Sequence, residues 1–202
     1  GVQHMRHTHL PEHKFVSGQP ETGGDLAMDL ERIATNFGPE NIAACIVEPI
    51  AGSTGTLVPP KGYLQKLREI CDKHGILLIF DEVITGWGRT GSKFGAQEFG
   101  VTPDIMTMAK ATTNGVVPMG VVACKDEIYD AVMDASPMGS VELFHGYTYS
   151  GIPVAVAAAL AVQDIFDKDD IFNRAKNLAP YFQKGLFSLQ DLESVDNIRG
   201  YG

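Results

Sequence analysis

Two stretches of the chain carry apolar residues at the spacing of an amphipathic helix. The first stretch ends at Gly38-Pro39, and its apolar positions are Leu26, Leu30, Ile33 and Phe37. The second follows Pro59-Pro60, and its apolar face consists of Tyr63, Leu64, Leu67, Ile70 and Cys71. Glycine favours the left-handed conformation that closes many helices, so Gly75 is the expected end of the second helix.

Short apolar runs lie between and after these helices. Ile42 to Val47 ends in Glu48-Pro49, and Ile76 to Phe80 ends in Asp81-Glu82. The second of these runs is apolar throughout, which predicts a strand buried on both faces. Further strands are expected at residues 105–108 and 121–124, and helices at 126–133, from about 153 and from about 170. Alternation of strands and helices at this spacing predicts an α/β fold with a mostly parallel sheet flanked by helices.

Charged residues stand where two of the predicted strands end. Glu48 follows the first strand and Asp81 the second. In open parallel sheets, binding and chemistry are found beyond the carboxyl ends of the strands. The pattern therefore makes Glu48 and Asp81 candidate site residues.

Composition narrows the class of protein. Of the 202 residues 44% are hydrophobic and 20% charged, and the formal net charge is −9. An acidic balance argues against nucleic acid as the main partner, because phosphate binding needs clustered lysine and arginine. The most apolar stretch, residues 153–162, is too short to cross a membrane. Cys45, Cys71 and Cys124 are widely spaced, so we expect buried free thiols in a reducing compartment, the cytoplasm.

Four histidines crowd the start of the chain, at positions 4, 7, 9 and 13. A metal site is one interpretation, but no cysteine or carboxylate cluster completes a ligand set, so an irregular segment is favoured. The chain begins at Gly1 and stops after Arg199-Gly200-Tyr201-Gly202 with no closing element. We therefore expect a fragment of a longer chain.

The segment from Gly86 to Gly91 fits the G-x-G-x-x-G pattern of a dinucleotide-binding turn, which would indicate a nicotinamide-dependent dehydrogenase. Three features oppose this. Asp81 and Glu82 would repel a pyrophosphate, Trp87 is bulky for a turn that needs close backbone approach, and no long amphipathic helix follows. We predict a loop that does not bind phosphate.

A longer sequence pattern begins at the predicted strand that precedes this loop. Leu78-Ile79-Phe80-Asp81-Glu82-Val83 precedes the glycine loop, and Ile105 to Ala109 then leads directly into Lys110-Ala111-Thr112-Thr113-Asn114-Gly115. This arrangement resembles the signature of the class III aminotransferases, whose cofactor is pyridoxal 5'-phosphate. A long match that includes both charged residues, Asp81 and Lys110, at the expected spacing is far more specific than a match of three glycines.

The resemblance extends over the whole chain, and three further segments carry it: Val47 to Gly55, Pro59 to Leu64, and Phe144 to Gly151. These segments, together with Gly-Val-Gln-His at the start, are similar to the β-alanine (ω-amino acid):pyruvate group. The reaction it implies is transfer of an amino group from an ω-amino acid or an amine to pyruvate. Other class III members, such as an ornithine-type transaminase or an aminomutase, remain alternatives, as does a non-catalytic fragment.

The resemblance implies roles for five residues. Lys110 would bind the cofactor covalently and, once released, move a proton between the substrate and cofactor carbons. Asp81 would keep the ring nitrogen protonated, so that the ring acts as an electron sink. Val83 would pack on one face of the ring, Glu48 would lie near the ring and the substrate, and Thr148 would bind the cofactor phosphate of a partner subunit.

The implied fold is that of the aspartate aminotransferase type, fold type I. Residues 1–168 would form the central part of the large, cofactor-binding domain, and residues 169–202 the start of the small C-terminal domain. In the family, a phosphate-binding loop and a stacking aromatic residue lie upstream, and an arginine for substrate carboxylates lies downstream. We expect a homodimer with shared active sites, and no transaminase activity in the isolated piece.

Overall fold

The computed structural model describes residues 1–138, 143 and 145–202. Within them the sheet has four strands, β1 (Ala44–Val47), β2 (Leu77–Asp81), β3 (Ile105–Met108) and β4 (Val121–Cys124). They lie side by side in the order of the chain. The first three strands are parallel, and β4 runs antiparallel to β3. The prediction of a mostly parallel sheet is confirmed.

Six α-helices accompany the described strands: α1 (Met28–Phe37), α2 (Tyr63–His74), α3 (Gly95–Phe99), α4 (Asp126–Ala135), α5 (Pro153–Lys168) and α6 (Ile171–Phe187). Helices α1 and α2 pack together, and α2 lies against β2. The predicted apolar face of α2 is buried in full, and Gly75 closes the helix in the left-handed conformation. The α/β architecture is therefore confirmed.

The packing of β2 differs from the prediction. Leu78 and Phe80 are fully buried in the core, whereas Leu77 and Ile79 on the opposite face are only half-buried. The strand is thus buried on one face, although its sequence is apolar throughout. Phe37, predicted as part of the apolar stripe of α1, is 51% exposed because the helix ends there at Gly38.

The cysteines are free thiols, but only two of them are buried. Cys45 on β1 and Cys71 on α2 lie in the core, whereas Cys124 is exposed. Cys124 ends β4, which lies at the edge of the described sheet, and most of that strand is exposed. The expectation of burial was wrong for Cys124 for this reason.

The last seven residues lie against earlier parts of the chain. Arg199 Nε donates to the carbonyl of Gly55 at 2.6 Å, and the hydroxyl of Tyr201 donates to Glu98 at 2.7 Å. Near the start of the chain, Lys14 forms an ion pair of 2.7 Å with Asp196. These contacts connect the last residues both to the middle of the chain and to the segment near its start.

Candidate active site

The carboxyl ends of the three parallel strands meet at one edge of the sheet. Val47 lies opposite Phe80, so that Glu48 and Asp81 come next on β1 and β2. Asp81 in turn lies opposite Thr107, three residues before Lys110. The structure therefore brings the three charged residues that the sequence singled out to the same edge.

Asp81 is half-buried and has one fixed oxygen. Its Oδ1 accepts a hydrogen bond of 3.0 Å from the amide of Val83, which caps the end of β2. Within the described part of the chain, Oδ2 has no hydrogen-bond partner. One carboxylate oxygen is thus oriented by the backbone and the other is available to a ligand.

Side chains alternate between the two faces of a strand, and this alternation separates Asp81 from Glu82. Glu82 lies on the same face as Leu78 and Phe80 and is fully buried. It accepts hydrogen bonds from Thr85 Oγ1 at 2.5 Å and from the amides of Gly95 and Ala96 at 2.8 and 2.7 Å. Val83 follows in the turn beyond the end of β2 and is half-buried. Glu82 therefore anchors the loop that follows the strand, while Asp81 lies on the opposite, less buried face.

Glu48 organises the loop after β1. Its Oε2 accepts a hydrogen bond of 2.8 Å from the amide of Gly52. Between Ala51 and Leu57, paired backbone bonds of 3.2 and 2.9 Å close the loop. Glu48 thus has a structural role in this loop, and its position at the edge of the sheet agrees with a place near a bound ligand.

Lys110 has an unusual backbone. It begins a single 3-10 turn, Lys110–Thr112, with a φ of 44°. For a residue with a side chain, the left-handed region costs about 1–2 kcal/mol, so the surrounding structure must hold the turn in place. Lys110 is exposed, and its amine forms neither a hydrogen bond nor an ion pair with any described residue. The amine is thus free to react.

Two other lysines, Lys93 and Lys125, are engaged by neighbouring side chains. Lys125 forms an ion pair of 2.7 Å with Asp104, and the ammonium group of Lys93 lies 5.6 Å from the ring centre of Phe172. Such contacts restrain the position of an ammonium group. Of these three lysines, Lys110 is the one best placed as a nucleophile.

Thr148 does not join the edge in a single chain. It lies in an exposed turn, in which the amide of Ser150 donates to the carbonyl of Tyr147 at 2.9 Å. The described contacts do not link this turn to Glu48, Asp81 or Lys110. Phe144, part of the same sequence motif, lies outside the described residues.

These residues fit the chemistry of pyridoxal phosphate. An aldehyde needs a free primary amine, which Lys110 offers, and a pyridine nitrogen needs a carboxylate to stay protonated, which Asp81 offers. The half-buried side chain of Val83 supplies apolar surface between loops. Thr148 supplies a hydroxyl for a phosphate, but in an exposed turn, so the described chain provides only part of a phosphate site.

A cavity of about 370 Å³ lies elsewhere, between the loops after β1 and β2 and helix α6. Its described lining includes Ile50, Ile84, Arg89, Phe182 and Tyr201, and none of the five predicted site residues. Leu178 and Phe182, on the α6 side, are mostly exposed to solvent. We do not assign the cavity to the candidate site.

The loop from Gly86 to Gly91 has the structure expected of a non-phosphate loop. The helix that follows it, α3, has only five residues. The loop is instead closed by the amides of Trp87 and Gly88, which both donate to the carbonyl of Lys93, at 2.6 and 3.3 Å. A nucleotide-binding turn would present such amides to a pyrophosphate at the start of a long helix, so the dehydrogenase alternative has no structural support.

The described part of the chain contains neither a candidate metal site nor a helix that could span a membrane. No group of three or more histidine, cysteine, aspartate or glutamate side chains is arranged there to hold a metal ion. His13 is buried, where its Nδ1 accepts from the amide of Leu10 at 3.1 Å and its Nε2 lies 3.0 Å from the carbonyl of Thr22. None of the described helices combines the length and apolar character that spanning a membrane requires.

Comparison with known proteins matches nearly the whole sequence to one family. A family model described as aminotransferase class-III matches residues 3–202. Over the full length of this chain, the omega-aminotransferase of Caulobacter vibrioides is 56% identical, and the beta-alanine--pyruvate aminotransferase of Pseudomonas aeruginosa is 54% identical. The chain spans 46% and 45% of the lengths of these two relatives, which agrees with the expectation of a fragment.

Solved structures give the same result for the fold. The crystal structure of a thermostable (S)-enantioselective omega-transaminase from Thermomicrobium roseum matches with a TM-score of 0.83 and 44% sequence identity. The match covers 88% of this chain and 39% of that one. The four-stranded sheet and its helices thus have the fold of transaminases.

Proposed function

The chain belongs to the class III aminotransferase family, and we propose that the whole protein transfers an amino group from an ω-amino acid or an amine to pyruvate, with pyridoxal phosphate as cofactor. The observation that carries the proposal is the sheet edge itself. There a free lysine amine, Lys110, and a carboxylate with one available oxygen, Asp81, lie at the ends of adjacent parallel strands.

The roles of the residues follow from their chemistry. When bound, pyridoxal phosphate supplies an aldehyde and a ring that draws electrons from the substrate carbon. Lys110 Nζ would hold the cofactor covalently through its aldehyde, with loss of water, and as a free amine it would accept and donate the proton at the substrate carbon. Asp81 Oδ2 holds the proton on the ring nitrogen. Val83 packs on the ring, and Glu48 orders the loop beside it.

The relatives support the choice of substrates. The relative from Pseudomonas aeruginosa is named for β-alanine and pyruvate, and that from Caulobacter vibrioides for ω-amino groups in general. Because the sequence identity to both relatives exceeds one half, we propose pyruvate as the acceptor and an ω-amino acid or amine as the donor class. The chain would therefore bind a donor whose amine reaches the edge at Lys110.

We infer a homodimer in which Thr148 binds the cofactor phosphate of the partner subunit. The exposure of the turn that carries Thr148 supports this, because its hydroxyl has no described partner within its own chain. We also assign residues 1–168 to the large domain and 169–202 to the start of the small domain. The buried thiols of Cys45 and Cys71 are consistent with the cytoplasm as the compartment.

The test is chemical capture of the cofactor. The full-length protein is incubated with pyridoxal phosphate and reduced with borohydride, and the labelled peptide is mapped. We expect the label on Lys110, because Lys93 and Lys125 are held by Phe172 and Asp104. The Lys110→Arg variant is the control and should lose the label. Label on Lys93 or Lys125 in the unaltered protein would overturn the assignment of the site.

A further inference from the structure

The turn that carries Lys110 is bound by a residue of the glycine loop. The indole Nε1 of Trp87, in the glycine loop, donates a hydrogen bond of 2.9 Å to the hydroxyl of Thr112. Thr112 is buried and lies in the 3-10 turn that begins with Lys110. The bond therefore joins the loop after β2 to the turn after β3.

The hydroxyl of Thr112 is also hydrogen-bonded to Ala109, the residue before Lys110. It donates its own proton to the carbonyl of Ala109 at 2.9 Å, and the amide of Thr112 donates to the same carbonyl at 2.9 Å. With that proton used, the hydroxyl must accept from Trp87. The direction of both bonds is thus fixed, and together they link the indole of Trp87, through Thr112, to the backbone beside Lys110.

Trp87 is itself held firmly. Its φ is 60°, and its ring packs edge-on against Phe94 with centroids 4.8 Å apart. On its other side it lies 6.5 Å from Phe166 of α5. The far end of the same loop is bound by Glu82 through the amides of Gly95 and Ala96. The buried carboxylate of Glu82 thereby fixes the loop from which Trp87 reaches Thr112.

We propose that Trp87 is a positioning residue, which acts through Thr112 to hold Lys110 in the left-handed conformation that aims its amine at the cofactor. This inference rests on the proposed function, since it assumes that Lys110 binds the cofactor. Without the indole donor, the turn loses its tie to the loop and Lys110 relaxes toward an ordinary φ. The amine then spends less time where it reacts, although the fold is kept.

The test uses the full-length protein, freed of cofactor and then mixed with pyridoxal phosphate. Two readouts are followed by absorbance: the rate at which the cofactor becomes attached to Lys110, and the pH at which the attached cofactor changes its protonation. Trp87→Phe removes the donor and keeps the ring, and Thr112→Val removes the acceptor and keeps the shape. Trp87→Phe should slow attachment about fivefold, as expected for the loss of one neutral hydrogen bond. Thr112→Val, which also removes the bond to the Ala109 carbonyl, should slow it at least as much. Both variants should shift the absorbance titration.

Two further variants separate positioning from general stability. Thr112→Ser keeps the hydroxyl and should restore both readouts to within twofold of the unaltered protein. The double variant Trp87→Phe/Thr112→Val should be no slower than Thr112→Val alone, because Thr112→Val already removes the bond from Trp87. Thermal melting checks that each variant folds, and Thr112→Val carries the test if Trp87→Phe does not.

The outcomes distinguish the two levels of the proposal. If borohydride mapping places the cofactor on Lys110 but attachment and titration are unchanged in both single variants, the positioning role is wrong and the proposed function stands. If the effects of the two changes add, the residues act separately and the proposal fails as well. If the unaltered protein attaches no cofactor at Lys110, the proposed function fails and the positioning role fails with it.

Discussion

Asp81 and Thr107 lie opposite each other on adjacent parallel strands, and this pairing sets the carboxylate of Asp81 beside the turn that carries Lys110. Replacing Asp81 with asparagine should leave cofactor binding intact but reduce turnover about 10- to 100-fold, the size of a lost charged hydrogen bond. Cofactor content and pyruvate-dependent amine transfer are measured on the full-length protein.

The control for Asp81→Asn is Asp72→Asn. Asp72 pairs with Arg68 on α2 with its side chain 66% exposed, away from the edge, and its loss should not change turnover. If Asp81→Asn turned over as fast as the unaltered protein, Asp81 would have only the structural role of binding the Val83 amide.

Glu82→Gln should destabilise the protein by about 2–3 kcal/mol. The carboxylate accepts three hydrogen bonds in full burial, and the amide group of glutamine would turn a donor toward another donor. Denaturant unfolding measures the effect. Glu69→Gln, at an exposed glutamate of α2, is the matched control and should change stability by less than about 0.5 kcal/mol. Equal effects in the two variants would contradict the anchoring role of Glu82.

Glu82 also shows what the sequence could and could not predict. Asp81 and Glu82 are neighbours, and the resemblance identified only Asp81. The alternation of a strand carried the missing signal, because Glu82 shares a face with the buried Leu78 and Phe80. The helices and strands were predictable since their patterns are local, as the buried stripe of α2 shows.

Other features depended on contacts that no local pattern contains. The bond between Trp87 and Thr112 joins residues 25 positions apart in two irregular segments. The exposure of Cys124 depends on β4 lying at the edge of the described sheet. The sequence does not state which strand lies at an edge, because pairing order is decided by the tertiary fold.

Asp104 should make the free energy of unfolding depend on pH in the acid range. It binds Arg68, Lys125 and the amide of Leu78 at 2.8, 2.7 and 2.7 Å. Burial acts to raise the pKa of Asp104, but the hydrogen bonds from Lys125, Leu78 and Arg68 outweigh it and hold the pKa below its ordinary value. The stabilisation is therefore complete above the unfolded-state pKa of about 3.9 and is lost as pH falls through the lower, folded-state pKa.

Asp104→Asn should lower the free energy of unfolding by about 2 kcal/mol near neutral pH. The difference from the unaltered protein should shrink on acidification, because both then lack the carboxylate charge. Urea unfolding from about pH 7 to about pH 2 measures this. A difference that stayed constant through the acid range would show that packing, and not charge, gives Asp104 its effect.

Mixed dimers test the shared site. A dimer of one Lys110→Ala subunit and one Thr148→Ala subunit should bind one pyridoxal phosphate with normal affinity, because one site keeps both residues if Thr148 acts across the interface. If Thr148 served its own chain, each site would carry one defect and neither would bind normally. Homodimers of each variant are the controls, and cofactor stoichiometry of the purified mixed dimer is the measurement.

The ion pair between Lys14 and Asp196 spans 182 positions, and His9 and Asn197, 3.0 Å apart, span 188. Closing so large a loop costs chain entropy before these contacts contribute. During synthesis the first residues leave the ribosome long before residues 196 and 197 exist, and domains fold as the chain emerges. Arg6 can pair with Asp29 as soon as α1 has formed, whereas Lys14 and His9 gain these two partners only after the parallel strands have been synthesised, so the amino-terminal segment becomes attached in two stages.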